Sequence, residues 1–113
     1  MGAITVQSLE TTGATIAFTA ASSGLADEFI NDGETYLHIK NAAATTNQVV
    51  IVSQFSPVPK GLAKTNITVS LEGTEERIAG PFLQAAWNDS SGDVQLTCAT
   101  HTNLFYAAIS LNT

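Results

Sequence analysis

The chain has 113 residues, 44% hydrophobic but only 12% charged, and ten acidic residues against four basic ones give a formal net charge of −6. Such a length supports one domain with one small core, not two independent cores. The four cations, Lys40, Lys60, Lys64 and Arg77, are scattered and form no stripe; this argues against direct nucleic-acid binding and against adhesion to an anionic membrane.

Soluble domains typically carry about 25% charged residues. Here Thr, Ser, Ala, Asn and Gln take their place. A surface of that composition is inexpensive to desolvate, which suits a protein packed against neighbours, although a neutral soluble β-domain would look the same. The N-terminus has neither a basic region nor an uninterrupted apolar run, so no secretory signal is expected and the chain is expected to be made in a cytoplasm and stay soluble. No segment approaches the roughly 18 apolar residues of a membrane span.

In chain order, residues 4–9 alternate apolar and polar, and residues 14–19 alternate again with Ile16 and Phe18 on one face. Small residues surround both. Residues 1–25 therefore read as an N-terminal arm or an edge strand, and removal of residues 1–20 is expected to leave the fold intact. The firmest β signal follows: the turn Asn31-Asp32-Gly33 runs into residues 34–40, with Thr35, Leu37 and Ile39 facing one way and Tyr36, His38 and Lys40 the other. Residues 47–54 contain the continuous run Val49 to Val52, which implies burial on both faces or one face against a neighbouring subunit. Pro57 and Pro59 mark a loop. Residues 65–71 place Ile67, Val69 and Leu71 inward. Residues 75–79 end at Gly80-Pro81, where a proline cannot donate to a ladder. Residues 83–87 suit a short strand or one helical turn. Residues 93–99 and 104–111 close the domain. About eight short strands without an ordinary helix predict a jelly-roll-like antiparallel β-sandwich over residues 26–113.

Reactive constellations are sparse. Cys98 continues the alternation Val94, Leu96, Cys98 and is expected in the core, with no second cysteine for an internal disulfide. His38 and His101 lack the companions of a zinc site, and His38 is expected to make a surface or inter-subunit hydrogen bond. Asp89, Ser91 and Asp93 could converge on Ca²⁺ over Gly92, but they equally describe a turn in which Asn88 or Asp89 caps its own backbone. There is no nucleophile elbow and no Gly-rich phosphate cradle. The reading is non-enzymatic, with no cofactor and no metal.

Several segments carry a resemblance: Asp27-Glu28-Phe29 with Asn31-Asp32-Gly33 and the strand to Asn41; Gly61-Leu62-Ala63 before Ile67-Thr68-Val69; Glu76 to Phe82; and Trp87-Asn88-Asp89 with Gly92-Asp93-Val94. They resemble the small decoration, or cement, proteins of tailed-bacteriophage capsids. Trp87 stands where a tyrosine or phenylalanine is common, and Ala79 where a bulkier apolar residue is common. The resemblance implies a β-sandwich on the outer capsid surface, often a homotrimer, that binds the major capsid protein and staples capsomers against internal DNA pressure. The expected contact regions are residues 5–23 and the loops 57–64 and 82–88. The residues singled out are Thr5, Val6, Ile16, Phe18, Phe55, Pro57, Pro59, Phe82 and Trp87. Two other functions fit the same sequence: a carbohydrate-binding or host-adhesion domain using Trp87 and Phe55 as sugar platforms, and a phage neck or tail component.

Overall fold

The computed structural model describes residues 2–54 and 66–111. Its elements are β1 (Gly2–Ala3), β2 (Val6–Ser8), β3 (Thr19–Ala20), β4 (Ala26–Ile30), β5 (Thr35–Asn41), β6 (Asn47–Ile51), β7 (Ile67–Leu71), β8 (Glu76–Ala79), α1 (Gln84–Trp87), β9 (Asp93–Cys98) and β10 (Leu104–Ser110). They form two five-stranded sheets. Sheet A has the order β1-β4-β9-β6-β7; sheet B has β2-β10-β5-β8, with β3 also on β10.

The eight strands β3 to β10 make a jelly roll. All their neighbour pairs are antiparallel, and every successive connection crosses between the sheets except that from β6 to β7. Inward side chains fill the space between the sheets: Phe29, Val49, Ile51, Leu71, Val94 and Leu96 from sheet A, and Leu37, Ile39, Leu104, Tyr106 and Ala108 from sheet B. The strict period-2 burial of β5 explains why its sequence reads so clearly as a half-buried strand. In β6, Val49 and Ile51 are buried but Val50 is only half-buried on the outer face. The apolar run is therefore not buried on both faces within this chain.

Residues 2–20 contribute one edge of each sheet. β1 pairs in parallel with β4, and β2 pairs in parallel with β10, so the sandwich is mixed where it was expected to be purely antiparallel. Between these strands Ile4, only 4% exposed, enters the core. Removal of residues 1–20 would therefore open the core, contrary to the expectation of a dispensable arm. The strand expected at residues 14–19 is reduced to Thr19–Ala20. β10 already carries β2 and β3 along one edge and β5 along the other, so residues 9–18 cannot pair with it.

Buried asparagines close the ends of the sandwich, where carbonyl groups turn away from the ladders. Asn41 donates to the carbonyls of Thr45 and Glu72 and accepts from the Ala43 amide. Asn47 donates to the Thr100 carbonyl and accepts from its amide. Gly73 lies so close to the Ala44 carbonyl that a Cβ there would overlap it.

Candidate interaction surface

The two outward faces of the sandwich differ in chemistry. Strand register puts Ala26, Glu28, Ile30, Gln48, Val50, Thr68, Ser70, Asp93, Gln95 and Thr97 on the outside of sheet A. This is a polar, acidic face. Oxygens of Glu28, Asp89 and Asp93 lie within 4.8 Å of one another. Gln95 Nε2 donates to Glu28 at 3.0 Å and also to Asp89. The other Asp89 oxygen accepts the backbone N–H groups of Ser91 and Asp93 at 2.8 and 3.0 Å, so the expected capping turn is present.

Those bonds separate the two aspartates. The Asp93 amide, then Gln95 and the Ser91 amide, hold Asp89 below its ordinary value. Partial burial, then the neighbouring Glu28 carboxyl, pushes Asp93 up. Asp93 charged in the fold is thus unfavourable, and the penalty vanishes as pH falls through its raised pKa. Asp93→Asn is expected to raise the melting temperature at pH 7 by about 2–4 °C, a modest figure because solvent screens the site. The gain should fade as pH drops toward 4. Melts across that range with a chelator present check both points. Asp89 has the opposite sign: its stabilisation is present above the ordinary carboxylate range and is lost below it. As a cation site the trio offers three carboxylates toward the six to eight oxygens that Ca²⁺ takes. Ser91 contributes its amide to Asp89. Glu28 joins from β4, a partner that local spacing could not reveal.

The outside of sheet B is different. Ile78, His38 and Ala107 form one row; Glu76, Lys40 and Phe105 a second; Tyr36 and Ile109 a third. Ile78 is 65% exposed. Tyr36, Phe105 and Ile109 are half-buried. Phe18 lies on this face, edge-on to His38 with centroids 5.1 Å apart, and Lys40 Nζ stands 5.3 Å above its ring. His38 Nε2 is 2.9 Å from Glu76 Oε1, which places the hydrogen bond expected of His38 on this face. A clamp secures the covering segment: Gln7 Nε2 donates to the Ala17 carbonyl and Gln7 Oε1 accepts from its amide.

No protein-family model, curated protein or solved structure matches the chain.

The residues singled out from sequence therefore separate into groups. Ile16 is exposed and Phe18 half-buried in the segment beside sheet B. Thr5 is exposed in an open groove of about 570 Å³ with Ala3, Glu28 and Ile30, and Val6 packs on the core. Phe82 is 2% exposed, tilted on Phe29 at 5.8 Å and edge-on to Trp87 at 6.2 Å. It is a core residue with no surface to offer a partner, because the chain turns inward after Pro81. Trp87 is half-buried against it. Leu83 beside them is exposed instead. Phe55, Pro57, Pro59 and the whole of the loop 57–64 lie outside the described residues. Alternation along β5 sets Tyr36, His38 and Lys40 on one face; the sequence signal for an apolar surface beside them is β10, apolar on both faces from Leu104 to Ile109.

Proposed function

We propose that this chain is a structural virion protein that decorates and stabilises the outer surface of a tailed-phage capsid as a homotrimer, without enzymatic activity. The observation that carries the proposal is the aromatic and aliphatic outer face of sheet B, with Tyr36, Phe105, Ile109 and Ile78 in register beside Phe18. It belongs to a chain with few charges to desolvate and with the sequence resemblance described above. Aromatic side chains at a face of this kind supply contact area at low entropic cost. Repetition over a symmetric lattice turns modest contacts into avidity, as a shell under internal pressure requires.

Capsids stripped of the protein provide the test. Wild-type chain should cosediment with them, and Tyr36→Ser with Ile78→Ser should weaken binding at least tenfold while the far-UV spectrum is preserved. Wild-type chain that stays in the supernatant would reject the function. Undiminished binding by the double variant would reject sheet B as the docking face.

A further inference from the structure

We propose that residues 2–8 form an exchangeable strap, which two copies of the chain can trade so that each seats the other's strands. The inference is independent of the capsid reading. The eight antiparallel strands already constitute the jelly roll, and β1 and β2 are added to its exposed edge by parallel pairing over only two and three residues. The seat is specific. Gly2 backs on Asp27 so tightly that a Cβ would collide with the carboxylate. The Ile4 amide donates to the Glu28 carbonyl at 2.8 Å while its side chain fills the core. The Leu9 amide donates to the Ser110 carbonyl at 3.1 Å.

The tether is suited to release. Residues 9–17 are exposed, belong to no strand, and include Gly13 at φ 88°. They are held by the Leu9 amide on the Ser110 carbonyl, the Gly13 amide on the Glu10 carbonyl and the Gln7–Ala17 clamp. Roughly ten residues, 9–18, reach roughly 33 Å when extended, comparable with the 35 Å middle dimension of the molecule. The occupant of the vacated seat is the same segment of a second copy. It alone is certain to present glycine to Asp27 and isoleucine to the core, so the contacts given up are regained and mainly the entropy of association opposes exchange.

Two measurements on the full chain decide the matter. In a Cys98→Ala background, Ala3→Cys and Glu28→Cys place cysteines at paired positions of β1 and β4, within the range that a disulfide spans. After the two single variants are unfolded, mixed at high concentration, refolded together and oxidised, a covalent heterodimer is expected. Its absence, while a chain carrying both substitutions closes internally, would overturn the proposal. The second variant lacks residues 10–17, so only Leu9 and Phe18 link Ser8, level with Ser110, to Thr19, level with Tyr106; three Cα steps reach roughly 10 Å where four residues of β10 span roughly 13 Å, too short to close within one chain. Light scattering should then find a folded dimer or larger closed ring; a folded monomer would overturn the exchange.

Discussion

Phe29→Ala should destabilise the fold by about 3–5 kcal/mol, the cost of a deleted aromatic in a core that relaxes only partly. Phe29 is 1% exposed. Its ring meets Phe82 at 5.8 Å, and Phe82 meets Trp87 at 6.2 Å. The cavity would therefore loosen three contiguous aromatics and the support of α1. A domain of this size holds about 5–15 kcal/mol in all, so a large part of its margin would go. Urea unfolding should show a lowered midpoint with little change in slope. A loss below about 1 kcal/mol would mean that the aromatic cluster is not the packed unit described.

Asn31→Ala is expected to cost about 2–4 kcal/mol, the range for buried partners left without their hydrogen bonds. Asn31 is buried and joins three segments. Its amide donates to the Phe82 carbonyl at 2.8 Å and to Asn88 Oδ1 at 2.7 Å, and its side-chain oxygen accepts the Gly33 amide at 3.0 Å. Its backbone carbonyl accepts from Gln84 and Asn88. Removal of the side chain leaves the Phe82 carbonyl and the Gly33 amide without these partners. Asn31→Asp keeps the acceptor but brings a carboxylate against Asn88 Oδ1 and the Phe82 carbonyl, so it should be at least as damaging at neutral pH and recover partly in acid. Chemical denaturation at pH 7 and pH 4 separates the two variants. Equal stability of both with the wild type would remove Asn31 as the hub of this end.

Much of the architecture was legible because inward and outward residues alternate cleanly along β5 and β9. The turn before β5 was legible for a similar reason: Gly33 takes φ 90°, and Asp32 accepts the Glu34 amide and the Thr35 and Ser110 hydroxyls. Those bonds, that of Ser110 foremost, lower the Asp32 pKa. Cys98 proved buried for the same pattern reason. Less could be read near the N-terminus. Whether residues 4–9 form a free arm or an edge depends on a parallel partner a hundred residues away in β10, which no local pattern encodes. Phe82 was placed among the contact residues with the loop 82–88, whereas after Pro81 its ring enters the core. The acidic trio needed Glu28 from another strand, and the apolar outer face needed the register of β8, β5 and β10. Sites assembled across strands are set by topology, and composition gives only their overall character.

The central claim is that this sandwich coats a repetitive shell, and the copy number in purified phage particles tests it most directly. Quantitative mass spectrometry against isotope-labelled peptides should find hundreds of copies per particle, in a fixed ratio to the major capsid protein. A handful of copies per particle, or none, would contradict the account and place the chain in a neck, a fibre or outside the virion.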